Sequence, residues 1–160
     1  PSKNNLRYVK VAIESIRKNA MRDDHYIHIL VDKNVSEILP NETQMKDNNV
    51  WYKEFLAMKI MLAEVNNEDS AIEMINTYSG GHSAVIITEN KNIAEKFMQQ
   101  VDCAAVYHNA STRFTDGGQM GVGAELAIST DKLHHRGPLG LKQLVTNKYY
   151  VFGDGHIRIN

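Results

Sequence analysis

The chain has 160 residues, 42% hydrophobic and 23% charged, a length and balance suited to one packed domain, or one domain plus an extension, and not to a disordered polypeptide. A formal charge of -1 supplies no global field to gather nucleic acid or anionic lipid, so neither partner is expected and any anionic ligand must be met locally. The single cysteine excludes an internal disulfide framework and a multi-cysteine zinc site, and fits a soluble protein of the reducing cytoplasm.

The N-terminal PSKNNLRYVK lacks the apolar core of a secretory signal, and no run approaches the roughly 20 apolar residues of a membrane-spanning helix. The chain starts at Pro1 without an initiating Met, which suggests a piece of a longer polypeptide. Leu6, Val9, Ile13, Ile16 and Ala20 fall on one stripe at helical spacing and predict a surface helix over 6–20. HYIHILV, 25–31, is apolar and partly β-branched and predicts a short strand. NVSEILPNETQMKDNN, 34–49, is expected to be an exposed, mobile polar connection around Pro40.

A regular alternation follows. FLAMKIMLAEV, 55–65, predicts a strand, and NEDSAIEMINTYS, 67–79, a helix capped by Asn66 and stopped by Gly80-Gly81. AVIIT, 84–88, reads as a buried strand, and 90–101 as a helix with Ile93, Ala94, Phe97, Met98 and Val101 on one face. AAVYH, 104–108, is the next strand. The order β-α-β-α-β implies an α/β fold with parallel neighbours and helices on the sheet faces. Met58, Met61 and Met74 are expected to fill the core.

Beyond Asn109 six of the ten glycines lie between Gly117 and Gly140, so loops should dominate, around a candidate helix at 121–128. The end, NKYYVFGDGHIRIN, suggests two short strands, 147–152 and 156–159, around Gly153-Asp154-Gly155. Such a ribbon has no evident partner in its own domain, and an edge of that kind often pairs with another segment or subunit.

Ligands of parallel α/β sheets gather at the carboxyl ends of strands, which directs attention to NASTRFTDGG, 109–118. Arg113 can grip a carboxylate or phosphate with two parallel hydrogen bonds, with Ser111 and Thr112 donating beside it. The plainer alternative is a self-contained surface loop in which Arg113 pairs with Asp116. Other candidates are weaker. GVGAE, 121–125, lacks both the dinucleotide fingerprint and the Lys-Ser/Thr ending of a phosphate loop, and suits a tight turn; SGGHS, 79–83, suits a helix stop. Cys103, next to Asp102 at the start of a strand, suits packing better than nucleophilic attack. The seven histidines are dispersed and no metal site is expected.

GHS (81–83), NASTRFTDGG (109–118) followed by GVGAE, and GPLGL (137–141) carry a resemblance to the gamma-glutamyl phosphate reductase family, within the aldehyde dehydrogenase superfamily. The resemblance is close from about Glu54 to Arg158, and in outline only over residues 1–50. It implies the C-terminal portion of a glutamate-5-semialdehyde dehydrogenase, which reduces L-glutamyl 5-phosphate with NADPH in L-proline biosynthesis. Asn109, Ser111, Thr112, Arg113 and Phe114 then match substrate-side positions, and Glu54 the carboxylate that accepts from the nicotinamide ribose. The family's nucleophilic cysteine belongs to a Gly-Val-Cys-Asn-like segment that this chain does not contain, so no catalytic residue is assigned here. The chain alone is expected to be inactive. The resemblance further implies residues 1–128 as a portion of the catalytic domain of an aldehyde dehydrogenase-like fold. Residues 129–160 would be a C-terminal extension whose β-ribbon joins copies into a homo-oligomer. The rival expectation is a freestanding non-catalytic binding or assembly module built on the same fold.

Overall fold

In the computed structural model the described residues are 11, 13–15, 18 and 27–159. They fall into two units that meet in sequence at Ser79 and Gly80. Of the helix expected over 6–20, Val11, Ile13, Glu14, Ser15 and Lys18 are helical and Ile13 is buried; the rest lies outside the described residues.

The first unit is organised on β1 (His28–Val31), which runs parallel to both β2 (Thr43–Gln44) and β3 (Lys59–Leu62). Alternation along β1 turns Ile29 and Val31 inward, where they join Ile13, Ile27 and Val35 in an aliphatic core, with Leu39, Ile60 and Leu62 against it. Asp32 ties the end of β1 to two neighbours. One carboxylate oxygen caps α1 (Lys33–Ile38) by accepting from Val35 N–H at 2.7 Å, and the other accepts from Glu64 N–H at 3.1 Å.

That cap corrects the expectation of a mobile connection over 34–49. Within the polar stretch, Val35 and Leu39 lie one helical turn apart and reach the core, so the segment gains a short helix, the strand β2 and a 3-10 turn at Asn48–Tyr52. The strand expected over 55–65 is shorter than its apolar run. Residues 55–59 form two tight turns, Ala57 N–H to Phe55 O and Lys59 N–H to Ala57 O, both 2.7 Å, which leave Leu56 and Met58 exposed. Met58 is therefore not core, and Met61 and Met74 are half-buried. α2 (Glu68–Tyr78) starts at Asn67, one residue after the expected cap, because Asn67 Oδ1 is the atom that accepts from Ser70 N–H, at 2.9 Å. Gly80 and Gly81 follow in the left-handed region, φ 69° and 76°, and stop it as expected.

In the second unit β4 (Ser83–Ile86) and β5 (Ala105–His108) pair in parallel across α3 (Lys91–Gln100), from Ser83 opposite Ala105 to Ile86 opposite His108. Ala94, Phe97 and Val101 form the buried stripe of this helix, while Met98 falls off it and is exposed. β4 is half-buried rather than fully buried: Ala84 faces in and Val85 faces out. The parallel character of the expected β-α-β-α-β order holds within the two ladders β2-β1-β3 and β4-β5.

Two expectations for the C-terminal third are corrected. No helix forms at 121–128, because Gly121 and Gly123 take φ of 72° and 85°; Leu126 N–H instead bonds Leu139 O, which aligns β6 (Ala127–Ser129) antiparallel to β7 (Gly137–Leu139). Nor do 147–152 and 156–159 form a ladder among the described residues. They run without regular structure, and Tyr149, Val151, Phe152, Ile157 and Ile159 are all more than 80% exposed.

Candidate functional site

The loop after β5 begins with a backbone turn that few residues tolerate. Asn109 has φ 52°, an uncommon value for a residue with a side chain, and its own amide group stabilises it. Asn109 Oδ1 accepts from Thr88 N–H, and Nδ2 donates to Thr88 O, both at 2.9 Å, while its main-chain N–H reaches Ile86 O at 2.9 Å. The carboxyl ends of β4 and β5 are thereby clasped, and the chain is aimed into Ser111. Ser111 caps a 3-10 turn, Thr112–Phe114, by accepting from Arg113 N–H at 3.2 Å.

Thr115 anchors the other end of that turn. Its hydroxyl, on a residue 8% exposed, lies 2.8 Å from Ser83 Oγ on β4 and 2.8 Å from the Tyr107 hydroxyl on β5. Ser83 Oγ is in turn 2.6 Å from His82 Nδ1. A buried hydroxyl with two partners is inexpensive, whereas one stripped of them costs about 1–3 kcal/mol, so this chain pins the loop to both strands. Asp116 then closes a turn on itself: Oδ1 accepts from Gly118 N–H at 2.9 Å and from Gln119 N–H at 3.0 Å.

The following segment packs beneath. Glu125 accepts from Gly117 N–H at 2.7 Å, Val122 N–H bonds Gly117 O at 2.9 Å, and a Cβ on Gly140 would come within 2.5 Å of Val122 O. The glycines of GVGAE make a turn, as expected, and those at 117 and 140 permit close approach.

Above this base Ser111, Arg113, Phe114, Asp116 and Gln119 line an open concavity of about 460 Å³. Arg113 and Phe114 are exposed, and among the described residues the Arg113 guanidinium has no partner. The alternative in which Arg113 pairs with Asp116 is not what the fold adopts. A free guanidinium beside a hydroxyl can receive an anionic group from a small molecule.

A profile of the aldehyde dehydrogenase family matches residues 42–126. The chain belongs to the aldehyde dehydrogenase family. Within it, the chain is 48% identical over 151 residues to the gamma-glutamyl phosphate reductase of Clostridium botulinum strain Alaska E43, covering 93% of this chain and 36% of that relative. It is 52% identical over 126 residues to that of Halothermothrix orenii, covering 79% and 30%. The crystal structure of gamma-glutamyl phosphate reductase from Thermotoga maritima superposes with a TM-score of 0.84 at 43% identity, covering 98% of this chain and 36% of that one. The chain thus spans about a third of the length of the relatives it matches.

Of the residues expected at the aldehyde dehydrogenase site, 109 and 111–114 share one loop of the second unit. Glu54 lies in the first unit, exposed, just after the 3-10 turn Asn48–Tyr52, with no hydrogen-bond partner among the described residues. Cys103 is buried at 8% exposure, consistent with packing. Asp102 beside it is no bare anion: Lys132 bonds one carboxylate oxygen, and Arg136 bonds the other at 2.7 Å and the Asp102 carbonyl at 2.7 Å. The Lys132 hydrogen bond, then that of Arg136, holds the Asp102 carboxyl below the usual carboxylate range.

Sequence reasoning missed Thr115, Ser83 and Gln119 as parts of this site. Asp116 had a local signal, since an Asx residue two before glycine favours this turn. The Ser83–Thr115 contact, 32 residues apart, had none.

Proposed function

We propose that this chain is the substrate-side portion of an NADPH-dependent reductase that converts L-glutamyl 5-phosphate to L-glutamate 5-semialdehyde and phosphate in the cytoplasm, a step of L-proline biosynthesis. The observation that carries the reading is Arg113, whose guanidinium has no partner among the described residues, in a polar concavity at the carboxyl end of a parallel strand. The names of the relatives support the same activity.

In this reading 1–128 is a portion of the catalytic domain and 129–160 its extension. Ser111 and Arg113 hold an anionic group of the substrate. Thr112 stiffens the turn between them, and Phe114 covers the aliphatic carbons. Asn109 keeps one amide hydrogen and one lone pair for a ligand, but its first bonds go to Thr88, so its main task is to set the start of the loop.

A bound dinucleotide supplies the hydride. Glu54 fits such a group chemically, because an exposed carboxylate with both oxygens available accepts from two neighbouring ribose hydroxyls. The nucleophile is assigned to the longer polypeptide, since the only thiol here is buried, and the isolated 160-residue chain is accordingly inactive.

The full-length polypeptide carrying this chain tests the reading in the reverse direction, with glutamate semialdehyde, phosphate and NADP. Phosphate-dependent formation of NADPH is expected, with kcat/KM at least tenfold lower in Arg113→Ala, the loss of one charged hydrogen-bonding group. Kinetics unchanged in Arg113→Ala would remove the site assignment.

The exposed apolar segment 145–159 favours an additional role in assembly, with a second copy of the chain as partner and a homo-oligomer as product. Sedimentation of the full-length protein with and without residues 145–160 measures it; an unchanged mass would reject that role.

A further inference from the structure

We propose that the concavity of residues 111–119 recognises the zwitterionic α-amino acid end of its substrate, with Arg113 taking the α-carboxylate and Asp116 the α-ammonium group. The proposal rests on the reductase reading and deepens it by stating which end of the substrate the loop holds.

The concavity is lined by one cation and one anion that do not neutralise each other. Arg113 and Asp116 are three residues apart in a polar surface loop, where an ion pair would be the default. The residue between Phe114 and Asp116 prevents a free choice: Thr115 is drawn inward by Ser83 and Tyr107, which fixes the chain on either side of it. Asp116 is further fixed by the Gly118 and Gln119 N–H groups on Oδ1, leaving Oδ2 without a partner among the described residues. Two opposite charges are therefore held ready without being consumed.

An α-amino acid head presents the complementary pair, separated by one carbon. The Ser111 hydroxyl hydrogen and the Gln119 amide add neutral hydrogen bonds at the rim. The ring of Phe114, 52% exposed, offers an apolar surface to the methylene groups that follow the α-carbon. The volume, about 460 Å³, falls within the range of small-molecule sites, about 300–1,000 Å³. A phosphate would also attract Arg113, but it carries no cation for Asp116, whose carboxylate would repel it. The charge pattern thus favours the amino acid end over the phosphate end.

The test compares glutamate semialdehyde with 5-oxopentanoate, which keeps the aldehyde and the carboxylate and lacks the amine, in the full-length protein with phosphate and NADP. Wild-type protein is expected to prefer the amino-bearing aldehyde. Asp116→Asn retains the Oδ1 acceptor that the turn needs, and should reduce that preference, as a ratio of kcat/KM values, by about tenfold or more. Arg113→Gln should lower kcat/KM for both aldehydes and leave their ratio within about twofold, because both carry the carboxylate.

A ratio unchanged in Asp116→Asn, with wild-type protein active, overturns this proposal and leaves the reductase reading standing. A raised KM for phosphate in Arg113→Gln, with the aldehyde KM unchanged, overturns it too by giving Arg113 to the phosphate. Wild-type protein that forms no NADPH with phosphate overturns both.

Discussion

Residues 109–119 and residues 145–159 both lack long regular structure and both end near glycines, yet they are held in opposite ways. The first is polar, and several of its polar groups are tied to neighbouring strands or to its own backbone: Asn109 to Thr88, Thr115 to Ser83 and Tyr107, Asp116 to Gly118 and Gln119. The second is rich in apolar side chains that face outward, with one local bond, Asp154 N–H to His156 Nδ1 at 3.0 Å, at its bend. Irregular backbone acquires a defined shape when side chains satisfy its N–H and C=O groups against a strand or a turn. Apolar content without a facing surface does not give it one. The loop can therefore hold a charge constellation, and the tail offers surface to whatever covers it.

The largest effect should come from disturbing the base of the loop. Gly140→Ala places a methyl group against the Val122 carbonyl, 2.5 Å away, and backbone cannot move aside as a side chain can. We expect a loss of about 3 kcal/mol, the upper part of the usual range for overpacking, read from the urea midpoint. A variant as stable as the parent would mean that the loop does not depend on this contact.

Removing the buried hydroxyl should cost less. Thr115→Val keeps the shape and strips Ser83 and Tyr107 of a partner, for an expected loss of about 2 kcal/mol, most of it recovered in Thr115→Ser. Equal losses in both variants would shift the cause from hydrogen bonding to packing.

The tail should respond by contrast. Tyr149→Ser combined with Phe152→Ser is expected to change stability of the isolated chain by no more than about 0.5 kcal/mol, as for exposed sites away from packing. Chymotrypsin should cut that chain at Tyr149, Tyr150 or Phe152 before Phe114, which mass spectrometry of early fragments would show. Early cleavage at Phe114 would erase the distinction between the two regions.

The smallest effect concerns acid. Asp102 has its folded-state carboxyl pKa depressed, so its ion pairs stabilise the fold above the unfolded value, about 3.9. That contribution fades as pH falls through the lower folded value. Asp102→Asn should therefore weaken the dependence of stability on pH below about pH 4. The groups are exposed, so the difference should shrink further in high salt. A pH dependence identical to that of the parent would show that these pairs add nothing measurable.

Periodicity revealed the elements that bury one face. The stripe of Ala94, Phe97 and Val101 and the alternation of Ile29 and Val31 both have the expected burial. It failed where burial was set by something other than pattern: at 34–49, where Val35 and Leu39 sit in a polar stretch, and at 55–58, where apolar residues stay exposed in tight turns. At 121–128 the residue types allowed a helix, and two positive-φ glycines together with the Leu126–Leu139 bond excluded it. The candidate loop was legible as a cluster of polar types after a strand. Which of those groups point outward was not.

By itself the sequence determined the parallel α/β character, the helix stop at Gly80-Gly81 and the loop in which chemistry should be sought, because these follow from local periodicity, glycine conformation and strand direction. Only the tertiary structure decided that Thr115 turns in while Arg113 stays free. The distinction depends on whether Ser83 and Tyr107 stand where a threonine hydroxyl can reach them, and that is settled by the pairing of β4 with β5.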